Sequence, residues 1–289
     1  MSTSIEIPTK LEHRTEVLSS GTVAHNWPLP EGHPRATLLF HHGFADYSER
    51  WVRDYPFLVP SLHALRMDVW AIDMRGHGRS PGKRSIVRTN EAVDDHIELR
   101  RRLTSKGRRL YTMGHSLGGL ITADSTSRSP NDLAGTILLA PALLDPNILL
   151  RRLVACVASI FPTRQIPPLG SSLDGLSRNN EFVEKWLRDD QVFHGQVSFL
   201  LATTSLETMA GLWPRLSQWF MPTLVIHGTK DNYTEHDQSR KLCTMISSID
   251  KEFKSIEEGR HDVLSDTGHE ETWQLVLSWL ESRISKQER

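Results

Sequence analysis

The segment GHSLG at 114–118 stands between the apolar run RLYTM at 109–113 and the stretch LITADSTSR at 120–128. A short apolar run is typical of a buried strand, and the stretch that follows is suited to a helix. Glycines on both sides of a serine permit a sharp turn between strand and helix, which lifts the serine hydroxyl above the sheet. The segment therefore predicts that Ser116 is a nucleophile at a strand-to-helix turn.

Further apolar runs precede and follow this segment. Helical segments are predicted between them, at 49–65, at 90–103 and after Ser116. Alternation of strands and helices indicates right-handed crossovers and a doubly wound, mostly parallel sheet. The other predicted strands of this half are ATLLF at 36–40, MDVWAI at 67–72 and GTILL at 135–139.

The alternation is interrupted between Pro141 and the next apolar run, TLVI at 223–226. Within the interruption, residues 147–161 (NILLRRLVACVASIF) are apolar on one helical face, with Arg151 and Arg152 at its rim. The pattern fits a lid helix over an acyl pocket, and it fits equally a helix buried against the core. The sequence thus predicts three parts, namely a first core part at 1–143, a helical lid at 144–220 and a second core part at 221–289.

A serine hydroxyl needs a neighbouring base, which in turn needs an acid to orient it. In proteins with this strand-turn-helix arrangement, the acid follows the serine along the chain and the histidine follows the acid, each beyond the end of a strand. Asp231 follows the run TLVI, and His261 follows the predicted strand at 253–256. We therefore predict a catalytic triad of Ser116, Asp231 and His261.

Other residues compete for the same two roles. Asp145 and Asp237 are alternatives for the acid, and His269, just before the C-terminal helix, is the alternative for the base. Asp73 also ends a strand, but it precedes the serine and is interpreted as a structural loop residue.

Acyl transfer also needs two donors for the developing oxyanion. The amide of Leu117 lies at the start of a predicted helix, where backbone N–H groups lack intrahelical partners. The second donor is predicted in the loop after an early strand, where His42-Gly43-Phe44 follows ATLLF. The predicted oxyanion hole consists of the Phe44 and Leu117 amides.

Composition excludes several other classes of protein. The 289 residues contain 34 Lys and Arg against 35 Asp and Glu, so the net charge of -1 offers nothing to a polyanionic nucleic acid. Cys156 and Cys243 lie far apart and form no zinc-ligand spacing. We expect no cofactor and no metal, and a cytoplasmic protein that can lie peripherally on membranes; the oligomeric state is left open.

Taken together, these motifs resemble the monoacylglycerol lipase and lysophospholipase family of α/β-hydrolases over nearly the whole chain. The matching segments are GHSLGG at 114–119, DMRGHGRS at 73–80, His227-Gly228 followed by Asp231, and the stretches LSRN at 176–179 and VFHG at 192–195. The resemblance implies an α/β-hydrolase fold with an eight-stranded type of sheet, flanking helices and an inserted helical lid.

The resemblance also implies substrate-binding residues. In that family, positions matching Asp46, Arg50 and His115 line the polar end of the pocket, where glycerol hydroxyls bind. The loop here departs from the family pattern, because Phe44 replaces a small residue, Asp46 shortens the acid, Tyr47 replaces histidine and Trp51 replaces tyrosine. These departures favour an esterase over a strict monoglyceride lipase.

The function predicted from the sequence is hydrolysis of a carboxylic ester with a hydrophobic acyl group, through an acyl-enzyme on Ser116. Monoacylglycerol or a lysophospholipid is the first substrate hypothesis. Alternatives on the same triad are a small non-lipid ester, a lactone or a carbon–carbon bond. A different class, a binding protein that kept the fold and lost catalysis, is disfavoured because all three triad residues are present.

Overall fold

The computed structural model describes residues 11–105, 107–167 and 175–286. Eight strands form one sheet, namely β1 Arg14–Val17, β2 Val23–Trp27, β3 Ala36–His41, β4 Met67–Ile72, β5 Leu110–His115, β6 Gly135–Leu139, β7 Thr223–Gly228 and β8 Lys251–Ile256. Their order across the sheet is β1-β2-β4-β3-β5-β6-β7-β8. All neighbouring strands from β4 to β8 in that order are parallel, whereas β2 is antiparallel to both β1 and β4. The predicted mostly parallel sheet is confirmed.

Nine α-helices connect or cover these strands in the described part of the chain. They are α1 Ser48–Asp54, α2 Leu58–Ala64, α3 Thr89–Thr104, α4 Leu117–Arg128, α5 Ile148–Ile160, α6 Asn180–Arg188, α7 Phe199–Leu212, α8 His236–Met245 and α9 His269–Lys286. None of the described helices is both long and apolar enough to cross a membrane.

The single helix predicted at 49–65 is wrong, because the structure has α1 and α2 there, separated by Tyr55, Pro56 and Phe57. Tyr55 leaves the helical region with φ -118° and ψ 71°. A proline disfavours helical backbone at the residue before it and supplies no N–H for a helical hydrogen bond. Pro56 therefore explains the break.

The antiparallel strands β1 and β2 were not predicted. Their sequences, RTEV and VAHNW, lack a clear apolar run. β2 nevertheless lies beside β4, and most of its residues are buried. Tertiary pairing, rather than hydrophobic pattern, therefore makes this part of the chain a strand.

The hydrophobic core has two layers because alternate residues of each strand point to opposite faces of the sheet. Leu38 and Phe40 of β3 pack on the face covered by α1, α2 and α9, with Trp51, Leu62, Trp273 and Leu280 among their cluster. Leu39 points to the other face, which is covered in part by α3. Burial on both faces explains why the central strands are continuous apolar runs.

Residues between β6 and β7, here called the insertion, include the helices α5, α6 and α7. Helix α5 matches the predicted helix at 147–161, with Asn147 as its N-cap accepting a hydrogen bond from Leu150 N. Ala158 is its only buried residue, and most of its large apolar side chains are exposed: Leu149 is 75% exposed and Leu153 is 62% exposed. The alternative of a core-buried helix is therefore wrong.

Candidate active site

Ser116 occupies the turn between β5 and α4 in a strained backbone conformation. Its φ of 54° and ψ of -119° lie in a region that L-amino acids rarely adopt. Its N–H donates to the Leu139 carbonyl of the neighbouring strand at 3.0 Å, which helps to hold the turn. Backbone strain of this kind collects at functional sites, where the surrounding structure fixes it.

The glycines of this turn are required by close backbone approach. A Cβ atom on Gly114 would lie 2.4 Å from the Gly118 carbonyl oxygen, and one on Gly118 would lie 2.2 Å from the His41 carbonyl oxygen. Such distances are far below van der Waals contact. Any side chain at either position would therefore displace the serine or the adjoining strand β3.

The structure brings Ser116, His261 and Asp231 into one hydrogen-bonded chain. Nε2 of His261 lies 2.9 Å from Oγ of Ser116, and Nδ1 of His261 lies 2.7 Å from Oδ2 of Asp231. His261 and Asp231 side chains are 6% and 0% exposed, whereas Ser116 is partly accessible. In this arrangement the histidine can accept the serine proton while the carboxylate stabilises the resulting imidazolium.

Asp231 is held in an ionised state by a shell of donors. Its Oδ1 accepts hydrogen bonds from the Tyr233 and Thr234 amides, at 2.7 and 3.0 Å, and its Oδ2 accepts one from the Thr234 hydroxyl at 2.7 Å. Burial alone would raise the pKa of Asp231, but the interactions with His261 and His227 outweigh it and hold that pKa far below its usual range.

The sequence analysis assigned no role at the site to His227, although the structure places it beside the triad. Its Nε2 lies 3.0 Å from Oδ2 of Asp231, and its Nδ1 lies 2.8 Å from the Ser239 hydroxyl. If Ser239 donates to Nδ1, then Nε2 carries the hydrogen and donates it to Asp231. The sequence does contain an indication of this contact, because His227 precedes Asp231 by four residues and the tight turn after β7 lies between them.

The competing acids and base have other partners. Asp145 is paired with Lys241 at 2.5 Å, and Asp237 contacts the neighbouring His236 at 3.5 Å. His269 is the first residue of α9, and its Nδ1 lies 3.1 Å from the Asp266 carbonyl oxygen. The geometry thus favours Asp231 and His261.

The loop that carries Phe44 lies against the serine. A Cβ on Gly43 would lie 3.1 Å from the Cβ of Ser116, so only glycine permits this approach without displacement. The Met74 amide donates to Nε2 of His42 at 3.0 Å, so Nδ1 of His42 carries the hydrogen and donates to the Gly43 carbonyl at 2.7 Å. In a trans peptide the Phe44 N–H points opposite to that carbonyl, away from the His42 ring.

The other predicted donor is at the start of a helix. Leu117 is the first residue of α4, where a backbone N–H has no intrahelical acceptor. The positive end of the helix dipole adds a favourable potential for an anion at this place. A tetrahedral oxyanion formed on Ser116 would therefore have a donor on the helix side.

Asp46 and Arg50 form a buried ion pair. The Arg50 guanidinium donates from Nε and Nη2 to the two carboxylate oxygens of Asp46, which also accepts from the Trp51 indole and the Tyr47 amide, both at 2.7 Å. Arg50 is 1% exposed and Asp46 is 4% exposed. Burial alone would raise the pKa of Asp46, but Arg50 outweighs it and lowers that pKa.

Arg50 also joins two loops of the site. Its Nη2 lies 3.9 Å from Oδ2 of Asp262, the residue after His261, and the Tyr55 hydroxyl donates to the same Oδ2 at 2.8 Å. The guanidinium therefore connects the loop of Asp46 with the loop of His261. This network was not predicted, because its members are spread over distant parts of the sequence.

His115 is the third predicted substrate-binding residue. Its Nε2 donates to the His261 carbonyl at 3.2 Å, and its Nδ1 has no hydrogen-bond partner among the described residues. Burial is the main cause that lowers its pKa to about 4, so the ring is neutral near pH 7. A Cβ on Gly43 would lie 3.2 Å from Nδ1, which places this unpaired acceptor beside the oxyanion loop.

Asp73 organises the loop after β4, as interpreted from the sequence. It is fully buried and accepts hydrogen bonds from His25 at 2.8 Å, from the Ser48 amide at 2.8 Å and from the Arg79 amide at 2.7 Å. Burial by itself would raise its pKa, but these donors and nearby histidines hold the pKa well below its usual range.

One group among the described residues could hold a metal ion by proximity alone. Ligand atoms of His13, His25 and Glu49 lie within 4.8 Å of one another. Each has a protein partner already, because His13 contacts His25 at 2.9 Å and Glu49 pairs with Arg79 at 2.6 Å. Nδ1 of His13 also lies 3.8 Å from Oε1 of Glu49, so the cluster links His25 of β2 through His13 to α1.

Comparison with known proteins finds relatives over most of the chain. The family model described as "Serine aminopeptidase, S33" matches residues 32–268. The chain is 28% identical to monoacylglycerol lipase of Mycolicibacterium smegmatis over 96% of this chain and 99% of that protein. It is also 28% identical to human monoglyceride lipase, over 81% of this chain and 78% of that protein.

A solved structure gives the same picture of the fold. Monoacylglycerol lipase of Paleococcus ferrophilus superposes with a TM-score of 0.78 at 25% identity, over 95% of this chain and 100% of that chain. The alignment spans nearly the entire length of both chains.

Proposed function

The chain belongs to the family of hydrolases described as serine aminopeptidase, S33, and on this premise we propose that it hydrolyses carboxylic esters through an acyl-enzyme on Ser116. The observation that carries the proposal is the hydrogen-bonded chain from Ser116 through His261 to Asp231, with distances of 2.9 and 2.7 Å. Its relatives named as monoacylglycerol lipases support an ester rather than a peptide as the substrate.

In the proposed reaction, His261 removes the proton from Oγ of Ser116 as the oxygen attacks the ester carbonyl. The amides of Phe44 and Leu117 donate to the oxyanion of the tetrahedral intermediate. His261 then gives the proton to the departing alcohol, leaving the acyl group on Ser116. His261 then takes a proton from water as the water oxygen attacks the acyl carbonyl, and it returns this proton to Oγ of Ser116 as the acid leaves.

The proposed substrate has a hydrophobic acyl group, as in a monoacylglycerol or a lysophospholipid. The names of the relatives support the first of these. Of the three predicted substrate-binding residues, His115 offers an unpaired ring nitrogen for a substrate hydroxyl. The carboxylate of Asp46 already has four donors, so we propose that Asp46 and Arg50 shape the oxyanion loop rather than bind glycerol directly.

We propose that residues 144–220 form the lid of this site, with core parts at 1–143 and 221–289. The exposed apolar side chains of α5 support peripheral contact with a lipid surface. Ile148, Leu149, Leu153 and Ile160 are each more than half exposed, and Arg151 and Arg152 lie among them. An amphipathic helix of this composition can lie in the interface of an anionic membrane. The cytoplasmic location stays a prediction.

A fluorophosphonate probe, which reacts with activated serines, tests the nucleophile. We expect labelling of the wild-type protein and no labelling of Ser116→Ala. Unlabelled wild-type protein that is folded by circular dichroism would contradict the proposed chemistry and would favour a binding protein of the same fold.

The substrate class is tested separately, with p-nitrophenyl esters of increasing chain length beside 1-monoacylglycerols and lysophosphatidylcholine. A hydrophobic acyl pocket predicts that kcat/KM rises with chain length. A preference for the shortest esters would replace the lipid hypothesis with that of a small-ester hydrolase or lactonase.

A further inference from the structure

The loop that carries Phe44 is fastened to the insertion as well as to the sheet. The Phe193 amide donates to the Ala45 carbonyl at 2.9 Å, and the Tyr47 hydroxyl donates to Oδ2 of Asp189 at 2.8 Å. The rings of Phe44 and Phe193 meet edge to face with their centroids 5.8 Å apart. Three contacts thus join loop 44–47 of the core to segment 189–193 of the insertion, and this region of contact is called the junction below.

Asp189 is the centre of the polar part of this junction. Its Oδ2 also receives a hydrogen bond from Nη2 of Arg53 at 2.7 Å, and Nη1 of Arg53 donates to the Tyr47 hydroxyl at 2.9 Å. Its Oδ1 accepts from the Gln191 amide at 2.9 Å. The Asp189 side chain is only 7% exposed, whereas the Arg53 side chain is 51% exposed, so the carboxylate is buried at the edge of the junction.

The backbone of this loop needs such support. Ala45 has a φ of 73°, in the left-handed region that residues other than glycine adopt only when their neighbours hold them there. Its carbonyl is the acceptor of the Phe193 amide. A rotation at Ala45 would move the peptide that joins it to Phe44, and this peptide adjoins the one that contains the Phe44 N–H.

We infer that Asp189 is a positioning residue for the oxyanion hole, acting through Tyr47 and Ala45 on the Phe44 amide. The inference rests on the proposed function and adds to it a link between the insertion and the rate of the chemical step. A displacement of segment 189–193 would then change the stabilisation of the oxyanion more than the binding of the substrate. Oxyanion donors act in the transition state, so kcat and kcat/KM would fall together.

The test compares Asp189→Ala and Tyr47→Phe with a matched control, Asp190→Ala. Asp190 carries the same charge one residue away, but it is exposed. Active sites are first counted by titration with a fluorophosphonate, so that kcat refers only to folded enzyme. Hydrolysis of p-nitrophenyl butyrate and inhibition by an alkyl trifluoromethyl ketone, which forms an oxyanion hemiketal on a serine, are then measured.

We expect kcat per titrated site to fall about tenfold in both variants, with KM within about twofold of the wild-type value. The inhibition constant of the ketone should rise by a similar factor. The double variant should be little worse than either single variant, because both act through one junction. Asp190→Ala should behave as the wild type.

Two results would overturn the inference. One is a kcat per titrated site equal to that of Asp190→Ala, which would make the junction a purely structural contact. The other is a rise in KM alone, which would indicate a contact with the substrate. If Asp189→Ala gives no titratable protein, Tyr47→Phe decides, since it removes only a hydroxyl. Failure of the proposed function would be seen instead as full activity in Ser116→Ala.

Discussion

Nε2 of His227 lies 3.0 Å from Oδ2 of Asp231, the same oxygen that Nδ1 of His261 approaches to 2.7 Å. Two imidazoles therefore share one carboxylate oxygen. Only His261 reaches Ser116, and the ring of His227 is completely buried beneath the turn after β7. His227 is thus placed to fix the carboxylate on which the orientation of His261 depends.

Replacing this second histidine should reduce catalysis without abolishing it. His227→Ala removes a contact to Asp231, so the carboxylate should orient His261 less well, and kcat/KM for p-nitrophenyl butyrate should fall about tenfold, roughly 1.4 kcal/mol. His236→Gln is the matched control, because His236 is a neighbouring histidine whose hydrogen-bonding partners are Asp237 and Ser255. Equal activities of the two variants would remove any role for His227.

The identity of the base can be tested against its nearest rival. His261→Ala should lower kcat about a thousandfold or more, because the serine loses its proton acceptor. His269→Ala should stay within about threefold of the wild type, since His269 stacks on Phe57 at the start of α9. Steady-state kinetics on both purified variants measure this, and the reverse pattern would assign the base to His269.

Acid should destabilise the protein through its buried histidines. Burial is the largest cause that lowers the pKa of His41 to about 3 and that of His77 to about 4, from 6.5. As the pH falls, the unfolded chain binds these protons at a higher pH than the folded protein does. The stability that is present above pH 6.5 is therefore lost as the pH falls toward the pKa values of the folded protein. Each histidine should contribute a slope of up to about 1.4 kcal/mol per pH unit.

Urea unfolding at pH 6.0, 5.5 and 5.0 measures this slope. His77→Gln should flatten it by the contribution of one histidine, whatever the absolute stability of the variant. His33→Gln is the control, because His33 is exposed in the folded protein. An unchanged slope in His77→Gln would show that the acid sensitivity arises elsewhere.

Arg50 should matter more for stability than a surface arginine. Arg50→Met leaves the carboxylate of Asp46 buried without its cation, and we expect a loss of about 3–5 kcal/mol in the free energy of unfolding. Arg79→Met breaks a pair with Glu49 in which the Arg79 side chain is 52% exposed, so its effect should be under about 1 kcal/mol. Urea denaturation compares the two, and a small effect at Arg50 would reopen its role as a ligand for glycerol hydroxyls.

The apolar face of α5 should bind lipid. The double substitution Leu149→Asp and Leu153→Asp should reduce co-sedimentation with vesicles of phosphatidylcholine and phosphatidylglycerol by about tenfold or more, since it places two charges at the interface. Ile249→Asp changes a fully exposed apolar residue outside α5 and serves as the control. Equal sedimentation of both proteins would argue against contact through α5.

Much of the fold could be predicted because its signals are local. The central strands appear as apolar runs, since burial on both faces selects such residues, and β4 and β6 have the predicted bounds. Strands β1 and β2 could not be found in this way. Their pairing with the sheet, rather than their own composition, determines their conformation.

The sequence by itself determined the glycine-flanked turn at Ser116, the order of Ser116, Asp231 and His261, and the apolar face of α5. These depend on backbone sterics and on periodicity, which are properties of neighbouring residues. Only the tertiary structure decided that His227 shares the carboxylate of Asp231, that Arg50 is buried with Asp46, and that the apolar face of α5 is exposed. The physical reason is that hydrogen bonding and desolvation depend on which distant segments meet, and spacing along the chain carries no such information.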